Sequence, residues 1–276
     1  MLAQASSISV DVEEFDLVRG HDLLADDLWL PLLRRVKNHE FTHLFLSPPC
    51  ETYSRAPWSN NRGPAPLRSA DWPEGFPWLR GANKIKVQTA TELVKRCLQM
   101  VSVAHEAKVH WLWEHPEDLG PTPRGCPASV WSWQESRALF EKLQASTVAL
   151  YQCAFGEDFR KPTRLTGTWA NLPALGFSGW PRFNGLRYVG PLPKKCGHQH
   201  PALIGQDASG QFLTKPTAAY GPGLCKALAE SFLATLPSSS SVSLGRLIAT
   251  DEAIDDALVS SEDPEAIAAS LLSKQD

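Results

Sequence analysis

Short apolar runs that stop at prolines, acids or turn residues alternate along this chain with longer stretches whose apolar residues recur at helical spacing. That alternation limits the fold more than any other feature. Ser6 to Val12 alternates and is rich in β-branched residues, which predicts a strand. Asp26 to Lys37 has acids in its first turn and bases in its last, the distribution that a helix dipole prefers, with Pro31 as its one awkward residue. Thr42 to Leu46 is a buried strand stopped by Ser47-Pro48-Pro49. Asn83 to Lys108 reads as a helix, Val109 to Trp113 as a strand, Ser129 to Ala145 as a helix, and Thr147 to Phe155 and Thr163 to Trp169 as two further strands. The order predicts an α/β domain with a largely parallel sheet, whose active residues follow its strands at their carboxyl ends.

Between these elements lie two irregular stretches. Arg55 to Gly81 holds five prolines, four arginines and three tryptophans, a composition suited to a long ordered loop. Leu172 to Leu213 is rich in Gly and Pro and reads as an irregular insertion or small subdomain, and a helix starting near Gly223 closes the core by Leu236. Pro237 to Ser243 then reads as a flexible linker into an acidic tail. Charge follows the same partition: residues 1–50 carry a net −4, residues 51–236 +7 and residues 237–276 −6, so a polyanion partner would meet the middle.

With 43% hydrophobic and 21% charged residues, the 276-residue chain can bury a real interior, which excludes wholesale disorder. The chain shows no run of about 18 apolar residues and no leader-like start, so an intracellular protein without a membrane partner is expected. Six dispersed cysteines are expected to be reduced thiols. Cys196-Gly-His-Gln-His200 sets a thiol beside two imidazoles, but zinc usually takes paired cysteines and no second pair lies nearby. No metal is expected there, and the loop reads as making DNA or packing contacts.

Two segments carry chemistry. In LFLSPPCETYSRA (Leu44 to Ala56), Cys50 directly follows a strand, where a substrate can reach a thiolate; a buried cysteine in a proline turn is the plainer alternative. In WLWEHPED (Trp111 to Asp118), Glu114 ends the next strand and would stand beside Cys50 in a parallel sheet, or else cap a helix or pair with a base.

Pro-Pro-Cys followed downstream by Glu-His-Pro resembles the cytosine-5 DNA methyltransferase family over roughly Ser6 to Leu236. The resemblance implies a Rossmann-like S-adenosylmethionine-dependent methyltransferase fold in residues 1–236, with a target-recognition-like segment at about 170–213. It implies Cys50 as nucleophile, Glu114 at the ring of a flipped-out cytosine, and Arg164 in KPTRLTGTW assisting at the base. It also implies S-adenosylmethionine held near Asp11, Asp22, Pro48 and Tyr220, and double-stranded DNA held by Arg55, Arg62, Arg68 and Arg80. The family opens with a strand and a Gly-containing turn; nothing ahead of Ser6 supplies them, so a fold incomplete at its N-terminus is expected. His115 stands where the family has Asn. A monomer is expected, nuclear in a eukaryote and cytoplasmic otherwise. A silent nucleic-acid-binding remnant of the fold and an unrelated thiol enzyme are the alternatives.

Overall fold

The structure is a computed structural model; it describes residues 10–58, 63–201, 203, 205–236 and 242–248. A seven-stranded sheet has the order β1 (Val10–Phe15), β9 (Val242–Ile248), β2 (His43–Ser47), β3 (His110–Pro116), β5 (Pro162–Gly167), β4 (Ser146–Tyr151), β6 (Phe177–Ser178). A small hairpin, β7 (Arg182–Asn184) with β8 (Arg187–Gly190), stands apart from it. Helices α1 (Asp26–Lys37), α2 (Gly81–Glu106), α3 (Gln134–Lys142) and α4 (Pro222–Thr235) complete the domain.

Strands β1, β9, β2 and β3 are mutually parallel, as the alternation predicts. Beyond β3 the expectation of a largely parallel sheet is corrected: β5 is antiparallel to both β3 and β4, and β6 is antiparallel to β4. The reason is loop length. Only ten residues separate Tyr151 from Pro162, too few for a helical crossover, so β5 turns back into the place beside β3. Because β5 opposes both neighbours, β4 points the same way as β2 and β3.

Period-two burial divides the core between the faces of the sheet. Leu44, Leu46, Trp111 and Trp113 pack under α1, α2 and α3 with Trp29, Leu32, Val94, Val101 and Phe140. Phe45, Leu112, Val148, Leu150 and Leu165 face the other way, onto Leu224, Leu228 and Phe232 of α4. Each such side chain, fully buried, stabilises the fold by roughly 1.5–3 kcal/mol. Helix α1 survives Pro31 because its charges match the dipole and its apolar stripe is buried.

Of the strand expected at Ser6–Val12, residues 6–9 lie outside the described residues, and β1 continues past Val12 to Phe15. Its extension over Glu13 and Glu14 is tolerated because Arg35 donates to both oxygens of Glu13 (2.8 and 2.5 Å) and Arg19 pairs with Glu14.

The linker expected at Pro237–Ser243 is also corrected, for Val242 and Ser243 already belong to β9. That strand pairs with β1 from Val10↔Val242 to Phe15↔Leu247 and with β2 from His43↔Leu244 to Ser47↔Ile248. The step from β1 through α1 to β2 leaves one sheet position open, and β9 fills it. Residues 237–241 and the acidic stretch from 249 onward lie outside the described residues.

Candidate functional site

The register Leu46↔Trp113 sets the carboxyl ends of β2 and β3 side by side. Ser47 and Glu114 therefore leave the sheet on the same face, in line with Phe45 and Leu112. Glu114 is 4% exposed. The Tyr220 hydroxyl donates to its Oε2 at 2.7 Å, and the Ser47 hydroxyl lies 3.1 Å from the same oxygen and 2.8 Å from the Tyr220 oxygen. The other carboxylate oxygen, Oε1, is buried and meets no polar partner among the described residues. A buried acceptor of this kind costs free energy unless a ligand completes it.

Cys50 follows β2 through two buried prolines and is half-buried, at the start of the tight turn Glu51–Tyr53. Burial, then the Glu114 carboxylate, and to a smaller degree Cys50, hold the Tyr220 phenol well above its ordinary value of 10.0, so it stays a donor. Three residues beyond Ser47, Cys50 thus stands at the same carboxyl rim of the sheet as Glu114 and its partner Tyr220. Pro48 lies buried behind the thiol.

His115 points to the opposite face, among Tyr53 (ring centroids 5.2 Å apart) and Trp131 (6.2 Å). Its ring hydrogen-bonds the Pro49 backbone, and burial lowers its pKa to about 3 despite that bond. A neutral imidazole therefore anchors the Pro-Pro-Cys loop from beneath. His43 is similarly lowered to about 4 by burial and by neighbouring His110. Both fold neutral, whereas in the unfolded chain each takes up a proton below about 6.5, so stability is lost as pH falls. Denaturation midpoints are expected to hold above pH 7 and to drop below about 6.5, by up to ~1.4 kcal/mol per pH unit for each imidazole, until about pH 4 for His43 and about pH 3 for His115. A midpoint unchanged between pH 7.5 and 5.5 would show the rings to be charged or exposed.

Other expected site residues fall elsewhere. Arg164 is corrected: the register His115↔Arg164 turns it away from Glu114, and its side chain is 0% exposed. It forks onto Glu117 at 2.6 and 2.9 Å, donates to Thr147 Oγ1 (2.6 Å) and the Gly179 carbonyl (2.8 Å), and is flanked by Trp131 and Trp180. Tyr188 donates to the same Glu117 at 2.8 Å. The guanidinium is wholly committed to the interior.

Asp11 is also corrected. It is exposed at the amino end of β1, at the rim opposite Cys50, because β1 continues to Phe15. The acid at the carboxyl end is Asp16, 7% exposed, whose Oδ1 accepts from the Val18 backbone at 2.9 Å. Asp22 lies in the same β1–α1 loop and accepts from the Leu24 backbone at 2.9 Å. Tyr220, expected at the cofactor, instead holds Glu114.

Arg68 is a third correction. It is buried with its guanidinium 3.9 Å over the Tyr53 ring and donates to the carbonyls of Pro73 (2.8 Å) and Val87 (3.1 Å) and to Thr91 (3.2 Å), which ties the proline-rich loop to α2. Arg55 is half-buried and donates to the Gly120 and Pro121 carbonyls, while Arg124 reaches back to Pro57 at 3.1 Å, so the loops after β2 and β3 are laced together. Arg80 is exposed at the start of α2, donating to Pro77 and Leu79 carbonyls. Arg62 lies outside the described residues.

Ser47 is the site residue that the sequence reading missed. A hydroxyl just before Pro-Pro, two residues after a strand residue that faces α4, is a signal of period two, legible once β2 is placed.

None of the six cysteines is in a disulfide, and no helix among the described residues is long and apolar enough to cross a membrane. Compared with protein-family models, characterised proteins and solved structures, the chain matches none.

Proposed function

We propose that the chain is a cytosine-5 DNA methyltransferase-like protein in which the strand expected ahead of β1 is supplied by β9. The observation that carries this reading is the shared rim of β2 and β3, with the Cys50 thiol, the Glu114 carboxylate and its unpartnered, buried Oε1. A nucleophile beside an acceptor that awaits a hydrogen-bond partner suits a pyrimidine ring held edge-on.

Cys50 as thiolate adds to carbon 6 of a cytosine turned out of its duplex, forming a carbon–sulfur bond and moving the 5,6 π electrons onto carbon 5. Bound S-adenosylmethionine would supply the methyl group to carbon 5 and leave as S-adenosylhomocysteine; transfer of the carbon-5 proton to water would then re-form the double bond and expel the Cys50 thiolate. Glu114, through Oε1, accepts from the exocyclic amine of the cytosine and from ring nitrogen 3 once that nitrogen carries a proton, while Tyr220 and Ser47 keep Oε2 fixed. Pro48 and His115 position the loop that carries the thiol.

S-adenosylmethionine belongs at the carboxyl ends of β1, β9 and β2, where the adjoining strand ends of an α/β sheet form a crevice. Asp16 and Asp22, in the β1–α1 loop, are the acids available to its ribose and adenine there. The exposed Arg80 and the half-buried Arg55, in the +7 middle of the chain, suit the DNA backbone.

The test is trapping. Duplex DNA containing 5-fluorocytosine, incubated with the protein and S-adenosylmethionine, is expected to yield a denaturation-resistant adduct that Cys50→Ala abolishes. Donor binding without any adduct would overturn methyl transfer in favour of a silent binding protein. An adduct that persists in Cys50→Ala would overturn the assigned nucleophile, and failure to bind either donor or DNA would overturn the reading entirely.

A further inference from the structure

We propose that Cys153, Cys196, His198 and His200 hold one structural zinc ion that fastens the irregular segment to the end of β4. One ligand atom from each of the four residues lies within 4.8 Å of all the others. In a closed tetrahedron with Zn–S near 2.3 Å and Zn–N near 2.0–2.1 Å, such atoms stand roughly 3.3–3.8 Å apart, so a contraction of about 1 Å completes the site. Cys196 Sγ and His200 Nε2 are already 3.2 Å apart.

The supporting contacts point the same way. His200 turns its Nδ1 to the Asp158 carbonyl at 3.0 Å, which leaves Nε2 for a metal and fixes the ring, the usual arrangement behind a ligating imidazole. Gly197 sits at φ +85°, in the left-handed region, between two of the ligands. Cys153 is buried while His198 is exposed, giving an inner wall and a side from which an ion enters. Two thiolates and two imidazoles are a soft, borderline set with all four positions taken, which selects zinc and a structural role over an open catalytic one.

Local spacing concealed the site because its second thiol comes from 43 residues upstream, on the turn Gln152–Phe155 that directly follows β4. The same join is reinforced without metal: Tyr151 donates to the Pro193 carbonyl at 2.6 Å and Arg160 to the Lys194 carbonyl at 3.0 Å. Since β4 runs parallel to β2 and β3, the proposed ion lies at their rim, two strand spacings or about 10 Å across the sheet from β3. It would thus fix the segment flanking the thiol and carboxyl, and it stands whether or not methyl transfer does.

The full chain, purified without chelator and supplied with zinc, is expected to carry one zinc per molecule. Replacement by cobalt(II) is expected to give the intense visible bands of a tetrahedral ion together with a thiolate-to-cobalt charge-transfer band. Cys153→Ser and His200→Asn should each lose the ion, Cys225→Ser should keep it, and chelation should open residues 191–201 to protease. Zinc well below one per chain, a cobalt spectrum without the thiolate band, or full zinc retention in Cys153→Ser would each overturn the proposal. The first two readouts need no variant to fold.

Discussion

On the proposed reading, Glu114→Gln is expected to slow methyl transfer by about 10²–10⁴-fold, the range associated with removing a positioned acid or base, while donor affinity and the fold persist. The amide keeps an oxygen for the Tyr220 hydroxyl, so the local geometry survives. What disappears is the charge and the acceptor character of the buried Oε1. Because that oxygen is unsatisfied without a ligand, the variant should unfold at the same temperature as the parent or higher. Lower turnover with undiminished stability would mark a group held for a substrate. Turnover within a few-fold of the parent would remove Glu114 from the chemistry, and a lower melting temperature would recast it as a structural anchor.

Arg164→Ala is expected to destabilise the fold by about 3–5 kcal/mol, since it strands the Glu117 carboxylate in the interior without its partner. The loss exceeds that of an ordinary surface pair because both side chains are 0% exposed and the guanidinium also serves Thr147 and Gly179. Pairing Arg164→Met with Glu117→Leu should recover much of the deficit, because no charge is then left unpaired. Denaturant titration checks both. If Arg164 instead acted on a substrate, the single change would cut turnover at an unchanged melting temperature.

The helices and first parallel strands were legible because their signals are local. Asp26–Lys37 coincides with α1, where dipole-matched charges and a buried apolar stripe agree. The stop at Pro48-Pro49 located the end of β2, and Cys50 with it. The pairing of β2 with β3, which sets Ser47 opposite Glu114, followed from strand–helix–strand order. What could not be read is long-range. Val242–Ile248 lies between a serine run and an acidic stretch, and its strand character comes from the open position between β1 and β2. Arg164 and Arg68 look like surface cations in the sequence; only the carboxylate at Glu117 and the carbonyls of Pro73 and Val87 explain why each is inside. Cys153 has no neighbouring thiol within forty residues downstream, so the fold alone reveals its companions.

The place of β9 also bears on how the molecule comes to be made. Ser47 meets Ile248 some 200 residues further along the chain. A ribosome adding 5–20 residues per second leaves roughly 10–40 s during which the flank of β2 beside the Pro48-Pro49-Cys50 loop lacks its strand partner. Bare strand edges of that kind invite other chains, and contacts between distant residues form late. Nascent copies are open to such pairing through that interval, and the rim that carries Cys50 and Glu114 is completed only once β9 has been made.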